Sequence, residues 1–380
     1  MATPRLDIEP QMLKWACERS GRDEAVILKS VPQMLKWMDG TARPTMKQLQ
    51  KFAAVTYTPV GYLFLAVPPT ETVPLPDLRT VKNDRLTRPS ANLIATIHIC
   101  QQRQEWYRQH QLLSGHDPLS FVGSLNATVP TPEAAQKIRK ALNFTAEDRT
   151  QLQTWEEATR HLIAAIEATG VLVMVSGIVG NNNHRSLDPE EFRGFAMADD
   201  IAPLIFINGA DAKSAQMFTM AHEIAHIWLG ESAVSDVSVS EKTTHKVESW
   251  CNEVAAEFLV PRKELRAEYA DDEKPSAQVH RLTKHFKVSS LVILRRLRDL
   301  KLLKEDQFWP LYRKELQRIK TKTNAGGNFY TTKQVRIGRN FARAVIESTL
   351  EGKTLYRDAF RLLELEKMDT FNKLCEALSE

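Results

Sequence analysis

Residues 213–230 read KSAQMFTMAHEIAHIWLG, and this stretch decides how the rest of the chain is interpreted. The surrounding segment, residues 211–229, predicts a strong helix. His222 and His226 are four residues apart in it, so their imidazoles lie on one side of that helix. Glu223 completes the HExxH pattern, in which two histidines bind zinc and the glutamate acts as general base. The alternative is a pair of core histidines with satisfied hydrogen bonds.

A zinc site of this kind needs a third protein ligand and a fourth position for water. The following segment, HKVESWCNEVAAEFLVP, predicts a helix that supplies candidates. Glu248 is the predicted third ligand, and Asn252 lies one turn later on the same face, as in the gluzincin arrangement. There Asn252 would support a ligand histidine and fix its tautomer, or it would be a helix residue bonded to water. Glu253 and Glu257 are rival ligands, and each would otherwise be a surface carboxylate.

Three apolar runs precede the HExxH helix and predict strands: VLVMV from Val171, EFRGFAMAD over residues 191–199 and PLIFIN over residues 203–208. We expect PLIFIN, directly before the helix, to be the sheet edge, where an extended substrate would bind by strand addition. The predicted fold class is α+β and mostly helical: a zincin-type peptidase domain with a small sheet and the HExxH helix, flanked by helical domains.

The N-terminal segment has a rhythm of short helices over residues 9–75, with Asp23 as a candidate cap and Pro32 at a first-turn position. The rhythm ends in PTMKQLQKFAAVTYTPVGYLF and resembles the Cro/repressor class of helix-turn-helix domains. The resemblance rests mainly on core and turn positions, namely Trp37, Gly40, Pro44 and Leu49.

DNA binding through residues 9–60 is one interpretation of this module. Its candidate recognition helix, about residues 31–38, exposes Gln33 and Lys36 but is not rich in arginine. Residues 1–75 carry 9 basic and 7 acidic groups, so the module is barely cationic. The alternative is a helical module that serves packing or protein contact.

Five prolines within residues 66–90 mark a linker. The predicted domain order places the helix-turn-helix-like domain first and the peptidase domain third. The expected boundaries are 1–75 for the first domain, 76–150 for a linker and helical connecting region, 151–300 for the metallopeptidase domain and 301–380 for a helical C-terminal region. In that last region three amphipathic helices are expected, at about residues 332–350, 356–365 and 370–378.

The formal net charge is only +4, but it is unevenly distributed. Residues 281–345 contain 17 Lys/Arg against 4 Asp/Glu, a net charge of +13. This basic segment is a candidate surface for DNA or an acidic partner, or it forms a solvated helical face. Within it, Arg295, Arg296 and Arg298 cluster on a predicted helix that either reads DNA or contacts substrate beside the active site.

Composition excludes other classes. No apolar run approaches the 18 or so residues of a membrane span, and the first residues, MATPRLDIEP, lack a secretion-signal pattern. The four cysteines are far apart and form no CxxC pair, so they do not indicate a disulfide scaffold. We expect a cytoplasmic protein with reduced thiols and no membrane partner.

The run FINGADAKSAQMFTMAHEIAHIWLG, followed by NEVAAEFLVP, resembles the ImmA/IrrE metallopeptidase family over about residues 155–300. The resemblance implies regulated proteolysis, in which a helix-turn-helix repressor is cut, and other members are similar to partners in toxin–antitoxin operons. It also implies Zn²⁺ as cofactor, with His222, His226 and Glu248 as ligands and Glu223 as base. Many members carry Arg where this chain has Met217.

Zinc peptidases also need a donor that stabilises the oxyanion. His245 and His184 are candidates, and the alternative for both is a histidine in a surface loop. The predicted function is therefore a zinc-dependent endopeptidase that cleaves a protein regulator and is coupled to transcriptional control. The alternative is a non-proteolytic helix-turn-helix regulator or antitoxin-like partner, which binds DNA or a toxin through a peptidase fold.

Overall fold

The chain divides into two compact units, Met1–Pro74 with Asn83–Ile97 and Leu75–Lys82 with His98–Glu380. The computed structural model describes residues 4–75, 89–145, 152, 154–235, 246–320 and 334–379. The α+β class with a predominance of helix is confirmed, because one small sheet is surrounded by helices.

The first unit has the expected rhythm of short helices, α1 to α4 followed by a 3₁₀ helix, at Pro10–Ser20, Glu24–Ser30, Met34–Met38, Met46–Val55 and Val60–Phe64. The side chain of Asp23 caps α2 by accepting a hydrogen bond from the backbone N–H of Ala25. Thr45 and Gln48 form a reciprocal capping box at the start of α4. Trp37 and Leu49 are buried in the core of this unit.

The candidate recognition helix is shorter than the expected span of residues 31–38. Val31 donates its N–H to the carbonyl of Ile27 and so closes α2, while Pro32 lies in the turn that follows. The helix itself begins at Met34 and ends at Met38. Gln33 and Lys36 are exposed, as expected, and DNA binding by this unit stays a prediction.

The expected connecting helices are present as α5 at Ala91–Leu113, α6 at Thr131–Ala141 and α7 at Trp155–Glu167. The expectation of a helix from residue 147 lies partly outside the described residues. Within them α7 starts after Thr154, which forms a capping box with Glu157.

Within the described residues the sheet has four strands in the order β1-β3-β2-β4, at Leu172–Ser176 (β1), Leu204–Asn208 (β3), Gly194–Met197 (β2) and Ala233–Ser235 (β4). Strand β1 runs parallel to β3, whereas β2 is antiparallel to both β3 and β4. Three strands were expected from the apolar runs. Strand β4 was not, because three residues are too few to show a period.

The expectation that PLIFIN is the sheet edge is wrong. Strand β3 pairs with β1 on one side and with β2 on the other, so it is interior. The burial of the strand agrees with this position, because all five residues of Leu204–Asn208 are buried, as in strands covered on both faces. In the part of the chain that the structure describes, the outer strands are β1 and β4.

The HExxH segment forms helix α8, Lys213–Leu229, which Gly230 ends in a left-handed conformation. The next helix, α9, covers Lys246–Leu259. Helix α8 packs against strands β2 and β3 on one side and against α7 and α9 elsewhere. The sheet and α9 therefore enclose the central turn of α8.

In the described stretch 246–320, α9 is followed by α10 at Arg262–Glu268, α11 at Pro275–Phe286, α12 at Ser290–Asp299 and α13 at Glu305–Lys320. The described helices of the tail are α14 at Arg339–Leu350, α15 at Tyr356–Leu363 and α16 at Met368–Ser379. The first was expected from about residue 332, but Gly338, with a φ of 87°, separates α14 from the short helical turn of residues 334–337. Within the described ranges, no helix is both long enough and apolar enough to cross a membrane.

Candidate metal centre

Helix α8 carries His222, Glu223 and His226 into the interior of the second unit. The exposed fraction of each of the three side chains is 0%. The positions around them are apolar and buried, including Ala221 and Ile224, so this helix is buried on every side at that level. Polar side chains in such surroundings need partners, because an unpaired buried polar group is costly.

Helix α9 brings Glu248 to the two imidazoles. The Oε1 atom of Glu248 lies 3.1 Å from Nε2 of His226, and its Oε2 atom lies 3.2 Å from Nε2 of His222. The two Nε2 atoms are 3.1 Å apart. One ligand atom from each residue therefore falls within 4.8 Å of the other two, and among the described residues this group could hold a metal ion.

These separations fit the edges of a zinc tetrahedron. Ligands about 2.0 Å from zinc in a tetrahedral site are about 3.3 Å from one another, close to the distances between the two imidazoles and the carboxylate. Two nitrogens and one carboxylate also form the three-ligand set of a hydrolytic site, which leaves a fourth position for water. The donor chemistry thus suits zinc.

Asn252 lies beside His222, as expected from its position one turn after Glu248. Its Oδ1 atom is 3.2 Å from Nδ1 of His222. A hydrogen bond donated by Nδ1 keeps the proton there and leaves the Nε2 lone pair directed at Glu248 and His226. Nδ1 of His226, by contrast, is buried without a hydrogen-bond partner among the described residues.

The two rival carboxylates of α9 lie elsewhere. Glu253 is exposed. Glu257 is buried and forms an ion pair with Arg296 of α12, and it also accepts a hydrogen bond of 3.1 Å from the backbone N–H of Arg262. The expectation of a surface carboxylate is therefore wrong for Glu257, because its charge is paired in the core with that of Arg296 from α12.

The base candidate, Glu223, points at the sheet. A Cβ atom on Gly194 of β2 would lie only 3.0 Å from Oε1 of Glu223. Both carboxylate oxygens of Glu223 are buried without a hydrogen-bond partner among the described residues, and the same holds for Oγ of Ser235. Burial and the negative charge of Glu248 raise the pKa of Glu223 well above its usual value, and the Ser235 hydroxyl opposes this shift.

The electrostatics of the ligand cluster favour a neutral imidazole beside an ionised carboxylate. Burial would raise the pKa of Glu248, but hydrogen bonds and charge from His222 and His226 outweigh burial and hold that pKa below its ordinary range. Burial lowers the pKa of His226, although Glu248 opposes this. Neutral imidazole and ionised carboxylate are the forms that bind a metal ion.

The oxyanion candidates gain no support. His184 is exposed and lines a groove with Arg357 and Arg361, and none of the four buried site residues lines that groove. His245 lies outside the described residues. Met217 is buried in the main core and presents no side chain to solvent.

Two residues near the base were missed in the sequence, Gly194 and Ser235. A glycine inside an otherwise apolar strand is a signal of close approach by another group, so Gly194 could have been found. Ser235 gave no signal, because its strand could not be recognised from three residues.

Comparison with known families agrees with the geometry. Residues 166–298 match the profile of the IrrE N-terminal-like domain, a peptidase family, and this stretch contains all four site residues. This part of the chain is therefore a metallopeptidase-like domain, and its likeness to the ImmA/IrrE family is supported over those residues. Residues 337–377 match a domain of unknown function. No curated protein matches the chain.

Proposed function

We propose that this protein is a zinc-dependent endopeptidase that cleaves a protein regulator, a repressor or an antitoxin-like protein, and is thereby coupled to transcriptional control. The observation that carries this proposal is the convergence of His222, His226 and Glu248 with Glu223 one residue after the first ligand. The match of residues 166–298 to a peptidase family supports it.

Bound zinc would acidify a water molecule and polarise the scissile carbonyl. The side chains around it have separate tasks. Glu223 accepts the proton of the attacking water and delivers it to the leaving amine. Asn252 accepts the Nδ1 proton of His222 and so holds the tautomer whose Nε2 is a ligand. Glu248 supplies the third ligand and a negative charge that partly neutralises the cation.

Strand β4 is the better candidate for strand addition, now that β3 is interior. Residues Ala233–Ser235 pair with β2 on one side, and Ser235 is the partner of Gly194, the residue against which Glu223 packs. A peptide that extended the sheet beyond β4 would therefore run close to the base. Backbone hydrogen bonds of this kind bind extended chains without requiring a particular side-chain sequence.

The link to transcription rests on two other parts of the chain. The short helices of the first unit resemble helix-turn-helix domains, and the segment 281–345 is strongly basic. A protease that carries such a unit could be brought to a repressor at its operator. DNA is therefore a proposed partner, through residues 9–60 or through the basic segment.

Many described arginines of the basic segment are already engaged within the chain. Arg281 pairs with Glu268 and Glu273, and Arg298 pairs with Glu305 while it lies over the rings of Phe308 and Trp309. Arg296 is buried against Glu257. The trio of arginines on α12 is thus not one exposed face, and DNA contact would have to come from other residues of the segment.

A second candidate function follows from burial. His222, Glu223 and His226 have no exposed surface, and only 2% of Glu248 is exposed. A protein in this conformation would bind a partner without turnover, as expected of an antitoxin-like protein or a regulator that uses a peptidase fold. For the endopeptidase, the same observation means that the site must open before a peptide can reach it.

Comparison of protein termini tests the proposed function. Zinc-loaded wild type and a Glu223→Gln variant would each be incubated with soluble proteins from the source cells, and new N-termini would be identified by mass spectrometry. The endopeptidase predicts termini that appear with wild type and are absent with Glu223→Gln. Identical sets of termini from zinc-loaded, folded proteins would favour the non-proteolytic candidate.

A further inference from the structure

A cross-strand pair of residues lies against the base. Gly194 of β2 and Ser235 of β4 are direct partners in the sheet, and both border Glu223 of α8. We propose that this pair positions the carboxylate of Glu223: Gly194 provides the space that the carboxylate fills, and the Ser235 hydroxyl donates a hydrogen bond to it. The inference rests on the proposed function for the role of Glu223, but not for the contact itself.

The space at Gly194 leaves no room for a side chain. A Cβ atom there would lie 2.8 Å from Cγ2 of Thr219, 2.9 Å from the carbonyl oxygen of Phe206 and 3.0 Å from Oε1 of Glu223. Thr219 and Glu223 are one turn apart on α8, so they present the same face of the helix to the strand. The missing side chain therefore lets the helix and its carboxylate approach the sheet at this point.

The proposed hydrogen bond joins two residues, Ser235 and Glu223, whose buried polar atoms are otherwise unpaired. Oγ of Ser235 and both carboxylate oxygens of Glu223 are buried, and none has a hydrogen-bond partner within the described ranges. A buried acceptor without a donor is costly, and one hydrogen bond from the hydroxyl would pair Oγ of Ser235 with one of the two carboxylate oxygens.

Such a bond would matter for catalysis because a carboxylate base must present one oxygen to the water while its other oxygen is fixed. A hydrogen bond that fixes the orientation of the base reduces the number of unproductive geometries. Ser235 would thus act through Glu223 and not on the substrate itself. It would be a positioning residue at the end of the strand along which we expect the substrate to lie.

The direct test is a double-mutant cycle in the metal-free, full-length protein. Denaturant unfolding would be measured for Ser235→Ala, for Glu223→Leu, which removes both acceptor oxygens, and for the double variant. A hydrogen bond predicts non-additivity, with a coupling of more than about threefold in the unfolding equilibrium constant. In the matched control cycle Glu253→Leu takes the place of Glu223→Leu, and additivity is expected because Glu253 is an exposed carboxylate on α9. Coupling below about threefold at Glu223 would overturn the proposal.

The cycle requires no catalysis, so its outcome is separate from that of the proposed function. Coupling in a protein that shows no peptidase activity would support the contact between Ser235 and Glu223 and would exclude the proposed endopeptidase function. With activity present, Ser235→Ala should lower kcat about 10-fold or more at nearly unchanged KM and zinc content, because only an interaction of the base is lost. Ser235→Thr keeps the hydroxyl and should retain most of kcat, and a folded threonine variant as slow as the alanine variant would contradict the proposal.

Gly194→Ala tests whether the carboxylate of Glu223 needs the space that Gly194 provides. We expect a loss of kcat of about 10-fold or more in the zinc-loaded protein, because the new methyl group displaces the carboxylate. The control is Gly61→Ala, since a Cβ atom at Gly61 would meet nothing within 4 Å. Equal kcat in a folded Gly194→Ala variant and wild type would overturn this half of the proposal. If Gly194→Ala does not fold, the Ser235 cycle still decides the other half.

Discussion

Oδ1 of Asn252 lies 3.2 Å from Nδ1 of His222, so a residue of α9 holds the ring of a ligand on α8. The same helix α9 also supplies Glu248, four residues earlier. One helix therefore contributes both a ligand and the support of another ligand. Loss of its register against α8 would disturb both at once.

Substitution of Asn252 by alanine tests this support. The variant should bind zinc about 10- to 100-fold more weakly, because the imidazole of His222 loses the bond that fixes its tautomer. Competition with a zinc-sensitive chelating dye measures the affinity. Asn126→Ala, in the loop before α6, is the control for loss of an amide elsewhere, and its affinity should match wild type.

A second helix-to-helix contact predicts a dependence of stability on pH. Glu167, the last residue of α7, accepts a hydrogen bond of 2.9 Å from the backbone N–H of Arg339 at the start of α14, and the amide of Asn340 donates to the Glu167 carbonyl. Burial raises the pKa of Glu167 to about 7, although hydrogen bonds from the backbone N–H groups of Arg339 and Asn340 and the charges of Arg339 and Arg343 oppose this shift.

For a carboxyl whose pKa is higher in the folded than in the unfolded state, the folded state binds the proton more tightly. The contribution of Glu167 to stability is therefore fully present below about pH 4.5 and is lost as the pH rises to about 7. The loss is on the order of 3 kcal/mol. Glu167→Gln should show a flatter profile than wild type in denaturant unfolding between these pH values, and parallel profiles would contradict the assignment.

The buried ion pair between Glu257 and Arg296 gives a third prediction. Glu257→Ala leaves the guanidinium buried without its carboxylate, which should lower the free energy of unfolding by about 3–5 kcal/mol. The neighbouring Glu253→Ala removes an exposed carboxylate of the same helix and should change it by less than about 0.5 kcal/mol. Equal effects of the two substitutions, measured by urea unfolding, would show that the pair is not a structural element.

The interior position of β3 gives a fourth prediction. Ile205→Pro removes a backbone donor and introduces a ring inside a strand that is paired on both sides, so we expect loss of the fold and not a selective loss of cleavage. Ile205→Val keeps the backbone donor and should cost only about 0.5–1.5 kcal/mol. Circular dichroism and thermal unfolding distinguish the two. A folded proline variant would mean that β3 is not interior.

Local patterns in the sequence were sufficient for much of the site. The four-residue spacing of His222 and His226 and the position of Glu248 on a second helix are helical properties, and the structure brings these three residues together. The order of the strands depends on hydrogen bonds between distant segments, which explains why PLIFIN was misplaced. The partner of Glu257 is 39 residues away in the chain, and no local pattern indicates it.

The neighbours of Glu223 could be predicted only in part, for the same reason. The glycine in RGFAM had a readable meaning, namely close approach by another group. The group that approaches, however, is on a different element, and Ser235, its proposed hydrogen-bond donor, lies in a strand of only three residues.

The central claim is that His222, His226 and Glu248 bind one zinc ion, and bound metal per chain tests it most directly. We predict about one zinc per chain in wild type and in Glu223→Gln, and loss of that zinc in folded His222→Ala and Glu248→Ala. Absence of metal from wild type, even after zinc is supplied at neutral pH, or retention of zinc in both alanine variants, would contradict the account.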